Sequence, residues 1–440
     1  MSETPVSGFS KLSKAEKLRW VAQNYAQDPA AFITEFEEHN HTNAEKQKLY
    51  DEFSENTLTN FYMPYGVVPN VKINGQLFCV PMVIEESSVV AAASKAAKFW
   101  LSKGGFRTKV ISMTKIGQVH FLWEGDPEQI KPRFAALKER LIEETNPITA
   151  NMRARGGGIL DIEWVDMQHV EKHYFQLKAT FDTCDSMGAN FINSCLESFA
   201  QTLQDWLATQ EDFAPNAQRV TIIMSILSNY TPECRVRAEV SCPIADLGEV
   251  EKGISAELFA FKFKQAVHIA RNDPHRATTH NKGIFNGIDA VILATGNDFR
   301  AVEACGHTYA SRDGQYRSLT QCSTEGDTFR FWIEVPMAVG TVGGLTTLHP
   351  MVKRSLEMLG NPDAERLMEI TAVIGLAQNF GAIKSLVTTG IQKGHMKMHL
   401  LNILRNLEAT KAETEEAIEY FKEHVVSVSA VRDLLERLRG

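Results

Sequence analysis

The sequence predicts an α+β protein, a large mixed domain interrupted by a smaller inserted unit and closed by a helical C-terminal segment. Three observations carry this. The chain has 440 residues, beyond the size at which a single hydrophobic core keeps growing, so two or three domains are expected, one interrupted by another. It is 44% apolar and 23% charged, with 28 Gly and 15 Pro, which excludes collagen-like, low-complexity and disordered chains. Hydrophobic spacing switches between helical and two-residue periods, and the stretch from about residue 109 to 232 reads as a self-contained set of strands and helices.

The first 60 residues are polar and helical in pattern, with Leu12, Leu18, Val21 and Ala22 near one helical period, and read as an arm or packing surface. Short β-rich runs follow from Tyr65 to Met82, and Asn74-Gly75 stands where a two-residue hairpin turn needs positive φ. Glu85-Glu86-Ser87-Ser88 then leads into a helix of small residues over Val89–Leu101, ended by Gly104-Gly105. Small side chains admit close neighbours, which makes this helix central. Lys109–Met113 and Gly117–Trp123 are strand-like, Glu128–Thr145 is helical, and Gly156–Gly158 breaks the chain. Ile159–Val165 and His173–Phe181 read as strands, Gly188–Gln210 as a helix and Arg219–Leu227 as a strand. From Ala238 to about Gly390 helices and glycine-rich turns resume, and Ala412–Arg439 reads as an amphipathic helical pair.

Charge and cysteine usage narrow the function classes. Lys+Arg of 46 against Asp+Glu of 54 leaves a net charge of −8, which gives no global field for nucleic acid or an anionic membrane. Any phosphate must be held by local groups. The seven cysteines are scattered and never spaced CxxC, which argues for a reducing compartment and against zinc or a disulfide framework. Met1-Ser2-Glu3-Thr4-Pro5 is not a signal peptide, and no run approaches 18 apolar residues. A cytoplasmic protein with no membrane partner is expected.

Five segments are candidates for chemistry. Glu86 precedes Ser87-Ser88 at a helix start, where a plain capping role is equally natural. Arg276 to Gly287 packs Thr, His, Asn and Lys between glycines, followed by an apolar run and Gly296-Asn297-Asp298. Lys282 and Asp298 stand sixteen positions apart, a spacing expected to let a turn and one buried element bring ammonium and carboxylate together. A structural ion pair would look the same. His395 and His399 are spaced like metal ligands, but HEXXH is absent, and His395 beside Gly394 better suits a mobile acid–base group or a packing histidine. Asp182 to Asn190 lies at a strand-to-helix junction where backbone amides hold phosphate or polar ring groups, without a GxGxxG fingerprint. Gly340-Thr341-Val342-Gly343-Gly344 is a further glycine-rich turn.

Taken together these motifs resemble the 3-hydroxy-3-methylglutaryl-coenzyme A (HMG-CoA) reductases, in their soluble bacterial class. The match runs from about Glu55 to His399 through Glu55-Asn56, Glu85-Glu86-Ser87-Ser88, Asp185-Ser186-Met187-Gly188-Ala189-Asn190, Arg276–Gly287, Gly296-Asn297-Asp298, Gly340–Gly344 and Gly394-His395-Met396. Two departures stand out: Thr57-Leu58-Thr59 where the family usually continues Val-Ile-Gly, and Ser87 where Pro is frequent. The resemblance implies a large mixed α/β catalytic domain (residues 1–108 and 233–390), an inserted small non-Rossmann dinucleotide-binding domain (109–232) and a helical C-terminal flap (391–440).

The resemblance further implies reduction of HMG-CoA to mevalonate and CoA by two successive hydride transfers from NADPH or NADH, without a metal. Lys282 would stabilise the oxyanion formed on hydride addition, with Asp298 sustaining its buried charge. Glu86 would protonate the aldehyde oxygen, and His395 the departing thiolate. Arg276, Ser88 and Asn286 would hold the substrate's carboxylate end, while Asp185, Met187, Gly188, Asn190 and Asn229 would line the nucleotide site. Homodimers with shared active sites, or trimers of dimers, follow. Thr149, with Arg153 and Arg155 close behind, leans toward NADPH or dual use. Two other classes compete: a redox-free acyl-CoA hydrolase or lyase using Lys282 and Asp298, and a non-catalytic CoA- or nucleotide-binding module. Two nucleotides oxidised per thiol released distinguishes the reductase from both.

Overall fold

The computed structural model describes residues 5–388, 390, 400–422 and 424–440. The chain divides into two compact units, Met1–Pro64 and Tyr65–Gly440. In the first, the helices Lys14–Tyr25, Pro29–Glu38 and Ala44–Asp51 are each capped by a polar side chain, from Ser13, Asp28 and Asn43. Leu18 and Ala22 are buried there, on the expected helical face.

The second unit opens with an antiparallel hairpin, β1 (Tyr65–Ile73) and β2 (Gln76–Val83). Its turn is Asn74-Gly75, both at positive φ, as the two-residue connection requires. A four-stranded sheet follows the order β3-β8-β10-β9, with every pair antiparallel. It is built from β3 (Arg107–Ser112), β8 (Arg235–Pro243), β9 (Thr320–Ser323) and β10 (Thr328–Pro336). Sequence reading located only β3 among these, and the boundary expected at residue 109 falls inside it.

A second antiparallel sheet has the order β5-β6-β4-β7. Its strands are β4 (Lys115–Trp123), β5 (Gly158–Asp166), β6 (Tyr174–Asp182) and β7 (Val220–Ser228). Helices lie between β4 and β5 and between β6 and β7, which is the β-α-β-β-α-β arrangement of ferredoxin-like folds. This sheet has its own hydrophobic cluster, with Phe121, Trp123, Phe175 and Phe199 fully buried. A third, smaller cluster joins the helices beyond residue 400, around Leu404, Ala417 and Leu435.

Three helices build the main core: Val89–Leu101, Pro274–Ala294 and Ala364–Val387. Small residues let their backbones approach. A Cβ on Gly287 would meet Ile374 O at 2.8 Å, one on Gly375 would meet Ile288 at 2.8 Å, and one on Gly381 would meet Ala92 O at 3.1 Å. The last helix is the one among the described residues long and apolar enough to cross a membrane, and it is mostly buried inside the protein. Arg276 to Gly287, expected to contain turns, is instead continuous helix. Gly287 there serves packing rather than bending.

Candidate active site

Lys282 and Asn286 project one turn apart from the Pro274–Ala294 helix and converge on Glu86. Lys282 Nζ lies 2.6 Å from Glu86 Oε2, and Asn286 Nδ2 donates to the same oxygen at 3.2 Å. Glu86 sits just before the small-residue helix, so the hairpin and two core helices fix all three groups. They line a cavity of about 440 Å³ together with Ser88 and Arg276. Ser88 makes no capping bond and holds a left-handed φ of 75°, a strained conformation for a residue with a side chain. It lines the cavity without capping the helix.

The cavity floor is polar and buried. His280 Nε2 lies 2.5 Å from Thr320 Oγ1, which bonds Asn379 Oδ1 at 3.0 Å. Burial, with Arg276 nearby, pushes the His280 imidazole down to about 3, so it is neutral at physiological pH. Burial also lowers the Arg276 guanidinium from its ordinary value, yet it stays charged. Sequence reading missed Lys95 and Lys384, which share the lining with Thr279 of the Arg276–Gly287 segment and with Gln378. For Lys95 the signal was there, one charge in a run of alanines.

The expected Lys282–Asp298 pair does not form within the chain. Lys282 lies within the Pro274–Ala294 helix, whose twelve residue steps from Lys282 to Ala294 rise about 18 Å along the axis, and Asp298 follows after the further turn 295–297. Asp298 instead caps the helix Phe299–Ala310, accepting from Arg300 N at 3.1 Å and Ala301 N at 3.2 Å, and pairs with Arg300. Nor is the Lys282 ammonium buried: its side chain is 61% exposed, and that of Glu86 40%.

Asp298 keeps different company. Its neighbour Asn297 accepts from Gly340 N at 2.8 Å. A Cβ on Gly340 would stand 2.5 Å from Met187 N. Asp185 ties this turn down twice, its carbonyl accepting from Thr341 N at 2.8 Å and its carboxylate from Ala364 N at 2.9 Å. Gly188, with φ 89°, starts the helix Ala189–Ala208, whose first turn has no side-chain cap. Asn229 and Met187 line one small cavity with Ala301. Two groups therefore exist, one around Glu86, Lys282, Asn286, Arg276 and Ser88, the other around Asp185, Met187, Gly188, Asn229 and Asp298, with Asn190 in the uncapped helical turn. His395 and His399 lie outside the described residues.

A family model described as hydroxymethylglutaryl-coenzyme A reductase matches residues 14–400, spanning both groups. The chain belongs to this family. The 3-hydroxy-3-methylglutaryl-coenzyme A reductase of Archaeoglobus fulgidus is 35% identical over 446 residues, covering 99% of this chain and 95% of that protein. A probable reductase of Borreliella burgdorferi is 31% identical, covering 93% and 90%. Among solved structures, the class II HMG-CoA reductase of Streptococcus pneumoniae, bound to NADPH in open conformations, aligns with a TM-score of 0.71 at 35% identity, covering 98% of this chain and 100% of that one. Thr149, weighed for nucleotide preference, is buried, and its hydroxyl bonds Thr145 O at 3.1 Å inside its own helix. Arg153 and Arg155 are exposed instead, and Cys184 Sγ donates to Arg155 O at 3.4 Å, against the Asp182–Asn190 turn.

Proposed function

We propose that the chain reduces HMG-CoA to mevalonate and CoA with a nicotinamide nucleotide, and that each complete active centre joins the Lys282 group of one copy to the Asp185 group of a second. The observation that carries this is the separation of Lys282 from Asp298 within one chain. HMG-CoA is a polyanion, and Arg276, Lys282, Lys95 and Lys384 supply four cations to one cavity. Arg276 pairs with the free carboxylate, Ser88 and Asn286 bond beside it, and the two outer lysines face the CoA phosphates.

Two reduced nicotinamide nucleotides, bound in succession, would each supply one hydride. Hydride addition turns the acyl oxygen into an oxyanion, which the Lys282 ammonium stabilises once water is excluded. Because Lys282 is exposed in one chain, that exclusion falls to the second copy, and Asp298 of the partner subunit then offsets the cost of burying the ammonium. Glu86, bonded to Lys282, delivers the proton to the aldehyde oxygen. His395 protonates the leaving thiolate: a thiol of pKa about 8.5 takes the proton readily from an imidazolium of about 6.5.

The second group suits a dinucleotide. The uncapped amides ahead of Asn190 hold polar or phosphate oxygens. Met187, Gly188, Asn190 and Asn229 contact the nucleotide, while Asp185 fixes their turn. Exposed Arg153 and Arg155 favour a ribose phosphate, hence NADPH or dual use. On this reading the ferredoxin-like unit is the inserted non-Rossmann nucleotide-binding domain, and the helices beyond residue 400 belong to a C-terminal flap carrying His395. Seven cysteines without a disulfide support a reducing, cytoplasmic setting.

Subunit mixing tests the shared centre. Lys282→Ala and Asp298→Ala should each lose about 10²–10³ in kcat, the loss typical of removing a group that stabilises an oxyanion. Unfolded and refolded together, the two variants should regain a substantial part of wild-type activity, with two NADPH oxidised per thiol released. A mixture no more active than its components would show that both residues act within one chain.

A further inference from the structure

Lys115 opens β4 opposite Phe181 and is 2% exposed. A lysine is rarely so buried unless its ammonium is engaged. Its Nζ donates to Ser186 O at 2.8 Å and to Thr183 Oγ1. Thr183 Oγ1 in turn donates to Ser186 O at 2.6 Å. Both acceptors belong to the turn between Asp182 and Gly188. Gly188 lies so close over the Thr183 side chain that no other residue fits there. Asp182 Oδ1 accepts from Cys184 N at 2.8 Å, and Ser186 Oγ from Gly188 N at 3.1 Å, so the turn is bonded internally as well.

The turn is thus gripped from two sides. Gly340, Thr341 and Ala364 hold Asp185 from the large sheet's side, and Lys115 holds Thr183 and Ser186 from the inserted sheet. Burial holds the lysine below its ordinary pKa, while Cys234 and Asp182 pull the other way. An ammonium has three donors and the turn accepts two. Lys115 also lines a cavity of about 10 Å³, on the scale of one water, with Met187 and Asn229. None of the residues that bond Lys115 lines the Glu86–Lys282 cavity.

We propose that Lys115 is a positioning residue for the nicotinamide nucleotide, holding the Thr183–Gly188 turn in the shape that accepts it. The proposal rests on assigning that turn to the nucleotide. Without the amine, the buried Thr183 hydroxyl loses its donor and the Ser186 carbonyl keeps only Thr183 Oγ1, so the turn relaxes toward other arrangements. The substrate cavity feels none of this.

Lys115→Met keeps the chain length and removes every donor. The dissociation constant for NADPH, read by fluorescence titration without HMG-CoA, should rise at least tenfold, while that for HMG-CoA should change less than twofold. Thr183→Val removes the acceptor with little change of shape. It should raise the NADPH constant three- to tenfold, and it serves if Lys115→Met does not fold. An NADPH constant within twofold of wild type in a folded variant overturns the proposal. So does an equal loss of HMG-CoA affinity, which would mark a general structural role. Asn190→Ala separates the two levels of inference. If it also leaves NADPH binding unchanged, the turn is not the nucleotide site and both assignments fall. If it weakens NADPH binding while Lys115→Met does not, only the role of Lys115 falls.

Discussion

Lys282 and Glu86 face a cavity of about 440 Å³ with side chains 61% and 40% exposed, whereas Asp185, Met187 and Gly188 sit in a turn bonded on both sides. The first group has reactive side chains and room around them. The second has fixed backbone and almost no room. The difference follows from what each must do alone. A turn that meets a ligand through backbone amides must be shaped before binding, since amides cannot reorient individually. In the proposed shared centre, side chains completed by a second copy can wait in solvent, where an exposed ion pair contributes at most about 1 kcal/mol to stability.

The sharpest way to break this contrast is to add one methyl group on the tight side. Gly340→Ala would put a Cβ 2.5 Å from Met187 N and 3.0 Å from Asp185 O, and backbone on both sides leaves nothing flexible to yield. The variant should lose about 1–3 kcal/mol of stability in urea unfolding. Its NADPH affinity should fall more than tenfold while HMG-CoA binding stays intact. Intact NADPH binding would mean the turn need not be rigid.

Between the two groups lies Asp289, on the Lys282 helix, against Glu303 on the helix that Asp298 caps. Burial, then the Glu303 carboxylate, pushes its carboxyl up to about 8 from 3.8, and one oxygen has no partner. The folded protein therefore keeps a proton that the unfolded chain releases above about pH 4. The associated stability is complete below that pH and is lost as pH rises toward 8. Asp289→Asn, which needs no proton, should gain on the order of 2 kcal/mol relative to wild type at pH 8 and nothing at pH 4. Equal differences at both values would show that Asp289 is ionised throughout.

Much of this was legible in the sequence, for physical reasons that also explain the gaps. Asn74-Gly75 announced its hairpin because a two-residue turn demands positive φ locally. β4, β6 and the helix Ala189–Ala208 were readable because each buries residues at its own period, whereas the expected helix Glu128–Thr145 is broken into Pro127–Ile130 and Phe134–Glu144 and the helix Asn146–Arg153 was not read. β8 was passed over because its partners β3 and β10 lie about a hundred residues away in sequence and no local turn marks the pairing, and the short pair β9–β10 was passed over with it. The glycines of Arg276–Gly287 lie in a helix, where Gly287 relieves packing against Ile374 and Gly283 faces the cavity. Arg276, Ser88, Glu86, Lys282 and Asn286 were named and do meet. Asp298 was named too, but a sixteen-residue spacing says nothing of separation when most of the intervening segment is helix that carries the chain away from Lys282.

Gly283 offers the smallest and most discriminating change. It lies in the middle of the Pro274–Ala294 helix and lines the open cavity, and a Cβ there would meet nothing within 4 Å. Replacing a mid-helix glycine by alanine removes backbone freedom from the unfolded chain, so Gly283→Ala should stabilise the protein by about 0.5–1 kcal/mol. The same methyl takes space beside Lys282 that the acyl group would occupy. HMG-CoA should then bind several-fold more weakly while NADPH affinity does not move, the opposite selectivity to Gly340→Ala. A variant more stable than wild type with unchanged HMG-CoA affinity would mean the substrate does not reach this face of the helix, and the cavity would have to be reassigned.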